Sequence, residues 1–299
     1  MNTQVSGLIE GVAQGNFKLL ARAITIVENE LEHSIALLQA LTINYTTPVI
    51  GITGPPGAGK STLVNALIAQ LVQDDKRVAV VAVDPTSPFN YGSLLGDRIR
   101  MVDFFNNPNV YIRSLATRGS LGGLSEKIME VTDVLRASNF DYIFIETVGV
   151  GQSEVEIAGL ADVTVVVLVP EAGDEVQGLK AGIMEIANVF VVNKSDRPGA
   201  QVFANNLRKL THERANETPV LTTTAHLREG VVELIEAINA QFKHKITTQK
   251  HHLLVEKIYR LIQKQRMKDV SRVTIEQQIE NYISTESALN PYKLVERFK

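Results

Sequence analysis

The nine residues GPPGAGKST, at positions 54–62, constrain the fold more than any other stretch of this chain. The apolar run TPVIGI comes directly before them, and STLVNALIAQLVQ, with apolar residues at helical spacing, overlaps their end. A loop that matches G-x-x-x-x-G-K-[ST] between a strand and a helix is typical of phosphate-binding loops. The stretch therefore predicts a strand, a phosphate-binding loop and a helix, in that order.

The residue types of this loop suit the binding of phosphates. Gly54, Gly57 and Gly59 permit backbone conformations and a close approach that a β-carbon would block. We expect Lys60 to lie on the β- and γ-phosphates and Ser61 to give its hydroxyl to Mg²⁺, while backbone N–H groups point at the phosphates. The predicted nucleotide-binding residues of the loop are Gly54, Pro55, Pro56, Gly57, Ala58, Gly59, Lys60, Ser61 and Thr62.

Seven short β-rich segments predict the sheet. Most of them are continuous apolar runs, as expected for strands that are covered on both faces, and helical patterns lie between several of them. We therefore expect an α/β P-loop fold with a mostly parallel seven-stranded sheet and helical N-terminal and C-terminal extensions. The segments are 47–54, 77–84, 109–115, 141–147, 162–170, 188–194 and 218–225.

Three regions are predicted along the chain: a helical extension at 1–45, a nucleotide-binding domain at 46–243 and a helical arm at 244–299. The arm carries a narrow apolar stripe, and such a stripe needs another surface to bury it. A contact between two copies in a homodimer is the preferred interpretation, and packing on the chain's own nucleotide domain is the alternative. The stripe consists of Leu253, Leu254, Ile258, Leu261 and Ile262.

Composition and charge limit the kinds of site, location and partner that we expect for this chain. The absence of cysteine excludes a thiol nucleophile and any cysteine-ligated metal site. The first residues show no basic region followed by an apolar core, and no apolar run reaches the length of a membrane span, so we expect a cytoplasmic protein with no membrane partner. Residues 244–299 are basic, but they lack the interleaved aromatic pattern of a nucleic-acid stacking surface, so no nucleic-acid partner is predicted.

Carboxylates at the ends of apolar strands are candidate magnesium ligands. Asp84 and Glu146 each end such a strand on the side where parallel sheets bind phosphates, and Asp97 lies on a predicted loop nearby. Mg²⁺ takes oxygen ligands and keeps several waters, so Glu146 is expected to face the metal through a water. The predicted metal site therefore consists of Ser61, Asp84, Asp97 and Glu146.

The stretch VVNKSD ends a strand on the motif N-K-x-D, which predicts the base. The carboxylate of Asp196 can accept hydrogen bonds from guanine N1–H and the 2-amino group, which adenine does not offer. Lys194 would lie along the face of the base, and Asn193 completes the motif. The next strand ends on Thr224, Ala225 and His226, where a loop for guanine O6 is expected. The sequence therefore predicts GTP as the nucleotide.

The sequence motifs identify the group that positions the attacking water less clearly than they identify the rest of the site. Many small GTPases carry Gln after the switch glycine, but Gly149 is followed here by Val150, so slow hydrolysis without a partner is expected. Gln177 and Lys180, in the segment 171–182, would share a helical face and could move in to hold the attacking water and the charge of the γ-phosphate. The alternative is that this segment is the solvated start of a helix. The predicted catalytic residues are Lys60, Glu146, Gln177 and Lys180. Arg98, Arg113 and Arg118 are further candidates for a phosphate contact.

Eight stretches of the chain together resemble the methylmalonyl-CoA mutase-associated GTPases, the MeaB/ArgK family. They are ARAITIVENE, GITGPPGAGKSTL, VAVDPTSP, LLGDRIRM, TRGSLGGLS, IETVGVGQSEVEIA, AGDEVQGLKAGIMEIA and VNKSD. The glutamate of ETVG, Glu146, marks this group of GTPases. The resemblance implies a homodimeric P-loop GTPase that assists an adenosylcobalamin-dependent acyl-CoA mutase of the methylmalonyl-CoA mutase type in cofactor loading and protection. It also implies that the stretch GDEVQGLKAG acts as an extra switch, which supports Gln177 and Lys180.

Three other functions are compatible with parts of the pattern. A GTPase for nickel or cobalt insertion shares the switch chemistry, although such proteins usually carry Cys or clustered His ligands, and the adjacent pair here, His251 and His252, lies in the tail. A kinase linked to amino-acid transport is an older description of the resembling family. A scaffold that binds GTP without partner-stimulated hydrolysis is the third.

Overall fold

The structure is a computed structural model that describes two compact units, Met1–Lys245 and Ile246–Lys299. In the first unit the described residues are 3–84, 98–116, 127–147, 153–172, 181–213 and 218–242. In the second unit they are 254–255, 258–259, 261–263, 265–267, 269–285, 291–295 and 298.

The first unit is built on a seven-stranded sheet in the order β3-β2-β4-β1-β5-β6-β7, and every neighbouring pair is parallel. The strands are β1 Val49–Thr53, β2 Val78–Asp84, β3 Val110–Ala116, β4 Tyr142–Glu146, β5 Val163–Leu168, β6 Val189–Asn193 and β7 Val220–Thr223. The prediction of an α/β fold with a mostly parallel seven-stranded sheet is confirmed. Six strands lie within their predicted segments, and β3 extends one residue beyond the predicted end at position 115.

Helices precede the sheet, alternate with its strands and follow it. In the first unit they are α1 Thr3–Ala13, α2 Phe17–Glu28, α3 Ser34–Ala40, α4 Lys60–Gln73, α5 Ile128–Arg136, α6 Ser153–Leu160, α7 Ala181–Ile186, α8 Ala200–Glu213 and α9 Val231–Gln241. In the second unit they are α10 Arg272–Thr285 and α11 Pro291–Val295. Short 3₁₀ turns occupy Arg98–Phe104, Pro170–Ala172 and Ala225–Leu227. Among the described residues, none of the helices has the length and apolar character needed to cross a bilayer.

The two faces of the sheet carry different helices. Ile50 and Ile52 of β1 share a core cluster with residues of α4 and α9. Gly51, between them, faces the opposite side, where a β-carbon would lie 2.4 Å from the Ile157 side chain of α6. Successive side chains of a strand point to opposite faces, so residues at the end of one strand can contact the helices on both faces of the sheet. This alternation positions the residues at the carboxyl ends of β1 and β4.

The N-terminal helices pack against the first unit's own sheet. One face of α2 contributes Leu20, Ile24 and Val27 to a core cluster that also holds residues of β2 and α5. The helix begins at a defined point because the Asn16 side chain accepts hydrogen bonds from the backbone N–H groups of Lys18 and Leu19. The region predicted to be helical therefore forms helices, and α2 buries its apolar face within the first unit.

Arg77, at the start of β2, fastens these helices to the sheet. Its guanidinium lies over the rings of Phe17 and Phe140, with 5.5 Å and 5.8 Å to their centroids. The same group donates a hydrogen bond of 3.0 Å to the carbonyl oxygen of Gly15. Cation–π contacts of this kind strengthen as the site loses water. The turn between α1 and α2 is therefore held at the amino-terminal side of the sheet.

A buried ion pair joins helix and strand at the same side. Arg136, the last residue of α5, donates to Asp162 Oδ2 at 2.6 Å, and their side chains are only 9% and 7% exposed. The same oxygen accepts the backbone N–H of Val49 at 2.8 Å, so one carboxylate serves the starts of β1 and β5. The Arg136 guanidinium also lies 5.0 Å from the centroid of the Tyr45 ring.

We expect Asp162→Ala to lower the free energy of unfolding of the first unit by about 3–5 kcal/mol, because it leaves the Arg136 charge buried without its carboxylate. Urea titration followed by circular dichroism measures this. Glu236→Ala, an exposed position on α9, is the matched control and should stay within about 0.5 kcal/mol of the unmodified chain. Equal effects of the two substitutions would contradict the role given to the ion pair.

Candidate nucleotide-binding site

The loop between β1 and α4 takes the backbone path that its glycines permit. Gly54 has a φ of 141°, and a β-carbon there would lie 2.1 Å from the backbone oxygen of Val167 in β5. Gly59 has a φ of 85°, and a β-carbon there would lie 2.5 Å from Asn193 Nδ2. Gly57 also has a positive φ, but its β-carbon would meet nothing within 4 Å. Close packing therefore requires glycine at two positions, and conformation alone favours it at the third.

The Lys60 ammonium lies within this loop. Its side chain is buried, and Nζ donates hydrogen bonds of 2.9 Å and 3.1 Å to the carbonyl oxygens of Gly54 and Pro55. Lys60 is also the first residue of α4, whose N-terminal backbone dipoles favour negative charge. The loop therefore combines a cation with a helix N-terminus, an arrangement that binds anions such as phosphates.

Ser61 and Glu146 meet directly at the carboxyl edge of the sheet. The Ser61 hydroxyl donates a 2.6 Å hydrogen bond to Glu146 Oε1, and both residues are buried. Asp84 is the last residue of the neighbouring β2, whose Ala82 is the register partner of Glu146. A hydroxyl beside a carboxylate, next to a phosphate-binding loop, offers the oxygen ligands that Mg²⁺ prefers. The residues present fit the predicted magnesium site.

Asn193, the last residue of β6, joins the phosphate loop to the predicted base site. Its buried side chain donates to the Ala58 carbonyl oxygen at 2.9 Å. Its Oδ1 accepts hydrogen bonds from the Thr223 hydroxyl at 3.1 Å and from the Ala225 backbone N–H at 3.2 Å. One carboxamide therefore holds the ends of β6 and β7 against the loop that follows β1.

The turn after β6 presents the remaining motif residues. Lys194 takes a left-handed conformation with a φ of 56°, and its Nζ donates a 2.7 Å hydrogen bond to the Gly57 carbonyl oxygen. The backbone N–H of Ser195 donates to the Thr223 carbonyl oxygen at 3.0 Å. Asp196 is exposed on this turn, so its carboxylate is accessible to a base.

The predicted O6 loop is closed by short local contacts. The hydroxyls of Ser195 and Thr224 lie 2.9 Å apart, and Thr224 forms an antiparallel bridge with Glu229. Gly230 closes the loop, since a β-carbon there would lie 2.3 Å from the Thr222 carbonyl oxygen. His226 is exposed on the 3₁₀ turn Ala225–Leu227, on the same loop as Ala225.

An ion pair lies beside the base motif. Arg197, directly after Asp196, contacts Glu171 in the turn that follows β5. The hydrogen bond from Arg197 holds the pKa of the Glu171 carboxyl below its usual range. Both side chains are about half exposed, so the pair contributes little to stability. It does connect the N-K-S-D turn to the start of the predicted switch segment 171–182.

The structure brings the loop residues, Glu146, the N-K-S-D turn and the O6 loop to one edge of the sheet. The predicted residues Asp97, Gln177 and Lys180 lie outside the described residues, and so does the side chain of Asp84. Arg113 is engaged elsewhere: its guanidinium contacts Glu28 of α2 at 2.7 Å and the Thr25 hydroxyl at 3.4 Å.

Three threonines contribute to the site although the sequence patterns did not single them out. Thr223 donates to Asn193, and Thr53 and Thr147 form a buried hydroxyl pair at 3.0 Å beside Glu146. Each follows or ends an apolar strand at the carboxyl edge of the sheet. A hydroxyl at the end of an otherwise apolar strand is the sequence signal that points to such residues.

Comparison with known proteins identifies relatives across most of the chain. The family model described as methylmalonyl-CoA mutase-associated GTPase MeaB matches residues 20–284, well beyond the stretch of roughly 10–196 that carries the resemblance in the sequence motifs. A putative GTPase of Pyrococcus horikoshii is 45% identical over 261 residues, which are 85% of this chain and 81% of that protein. The mouse methylmalonic aciduria type A homolog, mitochondrial, is 36% identical over 81% of this chain and 64% of that protein.

Solved structures resemble this chain in fold. A crystal structure described as LAO/AO transport system kinase superposes with a TM-score of 0.70, covering 100% of this chain and 97% of the other. The two sequences are 24% identical, so this likeness supports the fold alone.

The loop geometry predicts different effects for two glycine-to-alanine substitutions. Gly57→Ala should lower the free energy of unfolding by about 1–2 kcal/mol, the cost of a left-handed residue that carries a β-carbon. Gly54→Ala should lower it clearly more, because its β-carbon also meets a backbone oxygen of β5 that has little freedom to move. Urea titration without nucleotide compares the two variants. Equal losses would contradict the close approach of the loop to β5.

Proposed function

The chain belongs to the methylmalonyl-CoA mutase-associated GTPase family, and from this premise we propose that this GTPase assists an adenosylcobalamin-dependent acyl-CoA mutase. It binds and hydrolyses GTP, gates cofactor loading into the mutase and protects the mutase from inactivation. The observation that supports the nucleotide assignment best is the Asn193 side chain, which builds the N-K-S-D turn onto the phosphate loop. The name of the mouse relative, methylmalonic aciduria type A homolog, agrees with a mutase as the partner.

Each binding residue has a distinct part in holding GTP. Lys60 and the α4 N-terminus neutralise the phosphates, and Asp196 selects guanine through N1–H and the 2-amino group. Ser61 and Glu146 would hold Mg²⁺ together with Asp84 and Asp97, and the ion supplies charge neutralisation at the phosphate oxygens when it is bound. Lys194 is proposed to lie along the face of the base, and His226 is proposed to line the same part of the site.

Hydrolysis is slow in the isolated chain under this proposal. The switch sequence has Val150 where many GTPases place the glutamine that orients water, so another segment of the chain or a partner supplies that group. Gln177 and Lys180 are the residues proposed for this part, with Gln177 orienting the water and Lys180 balancing charge on the γ-phosphate. Binding of the mutase brings the segment 171–182 into place and thereby accelerates the reaction.

A homodimer is proposed as the working form. In the C-terminal unit the described apolar residues Leu254, Ile258, Leu261 and Ile262 are between 36% and 47% exposed. An apolar stripe of this kind is covered when two copies pair through it. The cytoplasm is the proposed location, since a chain without cysteine suits a reducing compartment.

The proposal is tested by GTP hydrolysis with and without an adenosylcobalamin-dependent acyl-CoA mutase from the same organism, with ATP as the control nucleotide. We expect the mutase to raise kcat for GTP by at least about tenfold and to leave ATP unaffected, because transition-state contacts completed by a partner act on kcat. Lys180→Ala should abolish the stimulation while retaining GTP binding. Lys209→Ala, an exposed position on α8, is the lysine control.

Two results would contradict the proposal. Hydrolysis that no such mutase stimulates would remove the mutase partner and favour a scaffold or a metal-insertion GTPase. Stimulation that persists in Lys180→Ala would retain the partner and reject the extra switch.

A further inference from the structure

We infer that the buried hydroxyl pair of Thr53 and Thr147 is a positioning device that fixes the Glu146 carboxylate against Ser61 and thereby sets the affinity of the metal site. The inference rests on the proposed function, because it concerns the metal that accompanies the nucleotide. It gives a role in the reaction to two residues that the sequence motifs did not assign to nucleotide or metal.

The pair joins the points at which two candidate functional loops leave the sheet, after β1 and after β4. Thr53 is the last residue of β1 and precedes Gly54, while Thr147 directly follows Glu146. The Thr147 hydroxyl donates to the Thr53 hydroxyl at 3.0 Å, and the Thr147 backbone N–H donates to the Ile52 carbonyl oxygen at 3.1 Å. That backbone bond belongs to the parallel ladder at the Ile52–Glu146 register pair, and the hydroxyl pair lies one residue beyond it.

The side chains of Glu146 and Thr147 are neighbours in the sequence but point to opposite faces of the sheet. Glu146 points to the face of α4, where it contacts Ser61. Thr147 points to the opposite face, the side on which Gly51 of β1 contacts α6. The hydroxyl pair therefore holds the backbone from the side away from the ligands, and it does not compete with them for Glu146.

Packing alone does not account for two threonines here. Both side chains are buried, and the strands that they end are otherwise composed of valine, isoleucine, aromatic residues and glycine, apart from Glu146. Valine has the same shape and carries no polar group, so it would fill the same volume without the cost of burying a hydroxyl. What threonine adds is a directional bond between the ends of β1 and β4.

Loss of this bond should therefore appear in metal binding before it appears in base recognition. If the end of β4 is less well fixed, the carboxylate no longer has a single position relative to Ser61, and a metal ligand that must be ordered on binding lowers affinity. The guanine contacts depend on the ends of β6 and β7 and should be unaffected.

The test uses the full chain with GDP bound and measures Mn²⁺ affinity by electron paramagnetic resonance, with Mn²⁺ as the probe for the divalent ion. Thr147→Val should raise the Mn²⁺ dissociation constant about fivefold or more, the loss expected for one hydrogen bond. Thr147→Ser retains the hydroxyl and should stay within about twofold. GDP affinity in EDTA should be unchanged in all variants.

A double variant separates positioning from stability. Thr53→Val/Thr147→Val has no unsatisfied hydroxyl, so its urea midpoint should return towards that of the unmodified chain while its Mn²⁺ affinity remains weak. The inference is overturned if Thr147→Val binds Mn²⁺ normally, or if the double variant recovers Mn²⁺ affinity along with stability. An unmodified chain that binds neither GDP nor Mn²⁺ would instead overturn the proposed function, and this inference with it.

Discussion

The Asn193 carboxamide is the contact on which the candidate site depends. It links the Ala58 carbonyl of the phosphate loop to the Thr223 hydroxyl and the Ala225 backbone N–H. Because the group is buried, removal of the carboxamide would leave the groups that it contacts without this partner. The ends of β6 and β7 are therefore held against the loop that follows β1. Phosphate binding and base recognition become properties of one rigid edge.

The parallel sheet makes this arrangement possible. All carboxyl ends of the described strands lie at one edge, so loops distant in sequence meet there. Alternation along β4 then gives its end two roles: Glu146 reaches Ser61 on the α4 side, and Thr147 reaches Thr53 on the other. The candidate metal ligand and its proposed support follow one another in the chain and lie on different faces of the sheet.

Motifs and apolar runs predicted the sheet and indicated candidate site residues, several of which lie together at one edge of it, because strand burial and phosphate binding each impose a local pattern. Contacts between distant segments had no such pattern. Arg113 was one of three arginines considered for the phosphates, yet it pairs with Glu28 of α2 because the N-terminal helices pack beside β3. The sequence patterns likewise did not predict the contacts of Arg77 with two aromatic rings or the hydrogen bond between Thr147 and Thr53. Each depends on which elements become neighbours, and single segments do not encode that.

The most direct test of the central proposal, a single guanine-specific site at the carboxyl edge of the sheet, is calorimetric titration of the purified chain with GDP and with ADP at the same Mg²⁺ concentration. The account predicts that GDP binds at least about 100-fold more tightly, because adenine leaves the Asp196 carboxylate without its two donors. It also predicts that Asp196→Ala removes the preference while phosphate binding persists. Equal affinities for GDP and ADP, or a preference that survives in Asp196→Ala, would contradict it.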